Sequence, residues 1–147
     1  MRVHLVHHAD AVGPAVDPQR PLSTLGQSQA DSLSGRAAEA GVRPEVIWHS
    51  GKLRARQTAA SFLRRCAPFA EFRMVRGLRP DDPPHWICDE LLGEERDVLL
   101  VGHMPSISLL AVELGVAGIM PLHGIVSLQR FEPGRYREVW RAFPSAG

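Results

Sequence analysis

The tetrad Val98-Leu99-Leu100-Val101, running into Gly102-His103 and then Met104-Pro105, constrains this chain more than any other segment. A short, unbroken aliphatic run ended by turn residues is a buried strand, and a proline just beyond it opens a helix. Ile107, Leu110, Ala111 and Leu114 follow at helical spacing. A strand feeding directly into a helix is the repeating unit of an α/β layered domain, and the rest of the chain repeats it. Residues 2–7 read as a short buried strand around Val3, Leu5 and Val6, followed by a loop rich in Gly and Pro. Thr24-Leu25-Gly26-Gln27 fits a capping box that opens a helix over about residues 24–40, with Leu33 and Ala37 on one face and Gly41 as the stop. Residues 45–48 form a second strand, and Ser50 caps a helix holding Leu53, Thr58, Phe62 and Leu63. A minor strand at 71–75, a short helix at 83–92 and two strands near 124–131 and 135–142 complete the expected order. The expected fold is α/β: a three-layer sandwich with a mostly parallel central sheet flanked by helices.

Composition narrows what such a domain can do. At 147 residues the chain has the length of one domain, spanning residues 1–147, and its 44% hydrophobic content suits a packed core. Seventeen basic residues against sixteen acidic ones leave no broad basic face, so neither nucleic acid nor a membrane surface is an expected partner. The absence of a long apolar run makes the cytoplasm the expected location. Cys66 and Cys88 are far apart and lack metal-ligand spacing, which reads as two buried thiols. Lys52 is the single lysine, so the other basic residues are arginines, whose planar fork suits phosphate and carboxylate.

In a parallel α/β sheet, ligands bind beyond the carboxyl ends of the strands. That rule selects His8 after the first strand, Arg54 in the first turn of the helix after the second, and His103 at the end of the strongest strand. An arginine beside the free N–H groups of a helix N-terminus makes an anion site. Imidazole can attack phosphorus as a nucleophile, and its protonated form can donate to an oxyanion. The inferred ligand is phosphate-like.

At these residues the sequence resembles the histidine phosphatase superfamily, with its phosphoglycerate mutase-like fold, and in particular its small phosphohistidine phosphatase branch. Leu5-Val6-His7-His8-Ala9 stands where that family has a strand ending in Arg-His-Gly, and Arg20-Pro21-Leu22-Ser23 is similar to its Arg-Pro-Leu-Thr segment. Ser50, Leu53-Arg54-Ala55 and Gln57-Thr58 match Ser-Pro-x-x-Arg-Ala-x-Gln-Thr, and Gly102-His103 matches its Gly-His. The resemblance implies a phosphatase acting on a phosphorylated protein, such as phosphohistidine, or on a small phosphoester or phosphoramidate. His8 would be the nucleophile forming a phosphohistidine intermediate, Arg54 and His103 its catalytic partners, and Arg20, His7 and Ser50 substrate-binding residues. No metal and no cofactor is implied. Asp82 or Asp81 occupies the segment where a general acid could enter, for leaving groups that need a proton.

Two positions depart from the family pattern: His7 replaces the arginine and Ala9 the glycine. If His7 faced the phosphate and titrated near neutrality, activity would rise as pH fell toward 6, opposed by protonation of His8. The departures also keep open a phosphate-binding regulatory domain without turnover. A metal-dependent hydrolase using His4, His7, His8, Asp10 and His103 is a further alternative. His4, His49 and His85 read as structural or surface residues, while His123, ahead of the penultimate strand, is a candidate for the pocket rim.

Overall fold

The computed structural model describes residues 1–144; residues 145–147 of the expected domain lie outside the described residues. The chain runs β1 (Arg2–His7), α1 (Thr24–Glu39), β2 (Val46–His49), α2 (Leu53–Cys66), β3 (Glu71–Met74), α3 (His85–Leu92), β4 (Val98–Gly102), α4 (Ser106–Glu113), β5 (Ile125–Glu132) and β6 (Arg135–Ala142). The expected fold class holds. The six strands form one sheet in the order β3-β2-β4-β1-β5-β6, parallel from β3 to β1 and antiparallel from β1 through β5 to β6.

Alternation along the strands builds the three layers. Val3 and Leu5 of β1, Val46 and Trp48 of β2, and Val98 and Leu100 of β4 pack with Ile87 and Leu91 of α3 and Ile107, Leu110 and Ala111 of α4. On the opposite face Val6, Ile47, Leu99 and Val101 meet Leu33 and Ala37 of α1 and Ala55, Ala59 and Phe62 of α2. The aliphatic tetrad of β4 is wholly buried because it serves both faces at once.

Local signals were right about the elements and off by one residue at the cap of α1 and by two at the cap of α2. Helix α1 begins at Thr24, but its N-cap is Ser23, whose Oγ accepts from Gly26 N at 2.9 Å. This moves Gln27 out of the expected capping box, and its amide reaches Asp31 and Ser61 instead. The cap of α2 is Lys52, which makes no side-chain cap bond, and Ser50 is released for another contact. Gly26 is where α1 touches the loop after β1: a β-carbon there would lie 1.8 Å from the Asp10 carbonyl oxygen. Ser23 Oγ also donates to Asp10 Oδ2 at 2.6 Å, fastening that loop to the helix start.

Candidate active site

The carboxyl ends of β1, β2 and β4 and the start of β5 share one sheet edge, because β1 lies between parallel β4 and antiparallel β5. His8 follows β1, with its N–H bonded to Gly102 O of β4 at 3.1 Å. Its ring Nδ1–H donates to Ala9 O at 2.7 Å. A carbonyl can only accept, so this bond fixes the proton on Nδ1 and leaves the lone pair of neutral His8 on Nε2. The Ala9 N–H donates to Thr58 Oγ1 of α2 at 3.0 Å, and that hydroxyl donates to Arg54 O at 2.8 Å. The loop carrying the nucleophile candidate is therefore tied to the turn carrying Arg54.

His103 and His8 have ring centroids 4.9 Å apart. Ser50 Oγ lies 2.6 Å from His103 Nε2 and accepts from Lys52 N at 3.2 Å. The Lys52 N–H takes one lone pair of that hydroxyl, and when the hydroxyl proton goes to Nε2 the ring proton of His103 sits on Nδ1. His103 Nδ1 and Arg54 Nε are both buried with no hydrogen-bond partner among the described residues. Orphaned polar atoms of this kind are rare in folded proteins, and an acceptor oxygen between them would satisfy both.

His7 and His123 complete the cluster. His7 stacks on His123 at 4.8 Å between centroids with planes 12° apart, and lies 4.5 Å from the His8 ring. The His123 N–H donates to His7 Nδ1 at 2.8 Å, so neutral His7 carries its proton on Nε2. The Nδ1 of His123 in turn donates to His8 O at 2.6 Å.

His7, His8 and His103 stay neutral over the physiological range. Burial first, then the neighbouring charges of His8, His123 and Arg54, pushes His7 down to about 3. Burial lowers His8 to about 4, against a raising contribution from the Ala9 carbonyl and with further lowering from Arg54, His123 and Arg20. His103 falls to about 2, again chiefly through burial and then through His8 and Arg54. Burial and the charge of Arg20 lower Arg54, which as a guanidinium remains charged. The expectation that His7 titrates near neutrality is thus corrected: it is 4% exposed, and its one free nitrogen is already a donor.

Arg20 sits in the loop before α1 with φ of 50°, in the left-handed region, and its Nε donates to Val12 O at 2.9 Å. Its charge is felt by both His8 and Arg54. Ser50 also lines a cavity of about 380 Å³ together with Met74, Val75, Arg76, Arg79, Asp82 and Trp86. Within it the Arg76 guanidinium lies 4.5 Å from the Trp86 ring centroid. Asp82 Oδ2 accepts from Gly77 N and Arg79 N at 3.1 Å each, tying that carboxylate to its own loop. Asp81 is exposed.

The other histidines stand apart from the cluster. His4 Nδ1 pairs with Ser127 Oγ at 2.6 Å, His49 Nδ1 accepts from Gly51 N at 3.0 Å, and His85 is exposed at the start of α3. Among the described residues, the compact metal-ligand grouping is His7, His8 and His123, whose ligating atoms lie within 4.8 Å of one another. It is not the set expected from sequence, since His4 and Asp10 bond elsewhere. Nor does it suit a cation: with Nδ1 accepting a backbone N–H, His7 has no lone pair left on Nε2. His123 joins the ring cluster although the strand-end rule undervalued it, because it precedes a strand rather than following one.

No protein-family model matches the chain, and no curated protein does. Solved structures do. The protein histidine phosphatase SixA complexed with tungstate superposes with a TM-score of 0.86 at 24% identity, over 98% of this chain and 97% of that one. A mycobacterial glucosyl-3-phosphoglycerate phosphatase complexed with VO3 gives 0.73 at 20% identity, over 98% and 99%. The chain has the phosphoglycerate mutase-like fold of the histidine phosphatases.

Proposed function

We propose that this protein is a metal-independent phosphatase in which His8 attacks phosphorus and forms a phosphohistidine intermediate. The observation that carries this reading is the pairing of a lone pair, on His8 Nε2, with two orphaned buried donors, Arg54 Nε and His103 Nδ1. One group supplies the nucleophile and the others hold phosphoryl oxygens as negative charge builds in the in-line transition state. His8 needs no separate base, since burial keeps it unprotonated. Arg20 adds positive charge from the opposite loop, and His7 Nε2–H adds a neutral donor. In the second step water attacks the phosphohistidine, the N–P bond breaks, and inorganic phosphate leaves with His8 restored.

The leaving group lies toward the cavity of Ser50, Trp86, Arg76 and Asp82. An imidazole, or a phosphoramidate nitrogen that already carries its proton, leaves with little assistance, whereas an alkoxide requires a proton from the protein. With Asp82 tied to its loop and Asp81 exposed, the nitrogen leaving groups of phosphohistidine and phosphoramidate suit the site better than alkyl phosphates. Two tungstate- and vanadate-bound proteins sharing the fold support the anion assignment. The test is rapid acid-free quenching after mixing with phosphoramidate. Wild type is expected to carry one acid-labile, alkali-stable phosphoryl group, and His8→Ala none. A wild-type protein that turns over substrate without that adduct, or loses turnover to a chelator, would sink the mechanism. A protein that binds tungstate but hydrolyses nothing is the regulatory domain instead.

A further inference from the structure

We infer that His123 is a phosphoryl-binding residue, taking up a proton as the anion arrives and donating an Nε2–H to one of its oxygens; this rests on the phosphatase reading of the pocket.

The backbone at His123 is in the left-handed region at φ 55°, which a residue with a β-carbon adopts only at a steric penalty. Arg20 is the other non-glycine residue with positive φ among those described, and it too borders the pocket. Strain of this kind persists where the surroundings hold it, and here they do. The His123 N–H goes to His7 Nδ1, the ring lies flat on His7, and Nδ1–H goes to His8 O. Gly124, the next residue, is locked as well: its N–H donates to Pro121 O at 3.0 Å and its carbonyl accepts His7 N at 3.1 Å. A glycine or asparagine would serve this turn without strain. The ring is what the strain retains.

With Nδ1 committed to a carbonyl, the remaining nitrogen of His123 is Nε2, which has no hydrogen-bond partner among the described residues. It belongs to a trio of rings whose nitrogens gather within 4.8 Å, beside the candidate nucleophile. The groups facing it are His7 and His8 at the end of β1, with Arg54 of α2, Arg20 and His103 further round the pocket, and no carboxylate contacts it. His7 cannot take a proton without surrendering its bond from the His123 N–H, and His8 must keep its lone pair. His103 is more deeply buried still. His123, half-buried, is therefore where a proton can be added without dismantling the cluster. A nearby dianion favours the charged form of an imidazole, and the imidazolium offers both nitrogens as donors: one to His8 O, one to the phosphoryl oxygen.

Two variants separate contact from positioning. His123→Asn tolerates the left-handed backbone and places an amide N–H where Nδ1 is, keeping the tie to His8 O but lacking the far nitrogen. His123→Gly keeps only the backbone N–H to His7 and relieves the strain. Tungstate binding is measured for wild type, both variants and Arg54→Ala. Tungstate is expected to bind about tenfold or more weakly to both His123 variants, and to move the wild-type His123 ¹⁵N imidazole signals to the cationic pattern while His7 stays Nε2–H. Wild-type affinity in His123→Asn, or an unmoved His123 signal, overturns the inference while leaving the phosphatase reading in place. Tungstate binding that is absent in wild type, or indifferent to Arg54→Ala, overturns both.

Discussion

The proton on His103 is decided by one hydroxyl. Ser50 Oγ accepts the Lys52 N–H, and when its own hydrogen goes to His103 Nε2 the ring proton sits on the unpartnered Nδ1. Ser50→Ala removes that preference, and the proton can return to Nε2. A lost hydrogen bond of this class is worth about 1 kcal/mol, so kcat on phosphoramidate should fall roughly five- to tenfold with little change in melting temperature. An unchanged kcat would mean that Nε2–H donates to Ser50 in the native state. Gly26→Ala tests a different kind of precision. The added methyl meets the Asp10 carbonyl at 1.8 Å, and the backbone there must move. Overpacking of this sort costs about 1 to 3 kcal/mol, and because Asp10 lies two residues beyond His8, activity should fall further than stability alone explains. Equal activity per folded molecule would show that the loop after β1 moves without disturbing the nucleophile.

At the scale of elements, β4 is the test of the core. Leu100 is fully buried against the α3 and α4 layer, so Leu100→Ala should cost about 2 to 5 kcal/mol in denaturant unfolding. Leu92, 55% exposed at the end of α3, should tolerate Leu92→Ala within about 0.5 kcal/mol. The strands, the helices and the gathering of His7, His8 and His103 at one sheet edge were legible in the chain because each rests on a local signal. The aliphatic run of β4, the proline before α4 and the glycine after α1 act within a few residues. Caps were less legible: Ser23 and Thr24 are adjacent and both qualify, and Asp10, distant in sequence, is what engages Ser23. His123 was the hardest. Its place depends on β5 running antiparallel to β1, which puts the beginning of a strand beside the end of another, and no local pattern states strand direction. The one available signal was a histidine directly before glycine at a strand start. The neutrality of His7 was equally hidden, since it needs the His123 N–H from 116 residues away.

For the molecule as a whole, the histidines dominate the response to acid. His4, His7, His8 and His103 all have folded-state pKa values between about 2 and 4, against 6.5 for the free side chain. Below pH 6.5 the unfolded chain therefore binds more protons than the folded one. Stability is complete above that pH and falls as the pH drops toward the folded-state values, by about 1.4 kcal/mol per pH unit for each histidine so held. With four histidines held neutral together, denaturant midpoints should fall steadily from pH 6 to pH 4.5. His4→Gln, which removes a histidine outside the pocket, should soften that slope without touching the site. A flat midpoint across this range would contradict the buried, neutral cluster. The orphaned donors Arg54 Nε and His103 Nδ1 carry a practical consequence as well. A folded state with unanswered donors is stabilised by whatever anion answers them, by about 2.7 kcal/mol at a hundred times its dissociation constant. Two laboratories would then see two proteins: in phosphate buffer a sturdy domain that hydrolyses slowly, and in an amine buffer a brisker catalyst that melts several degrees sooner.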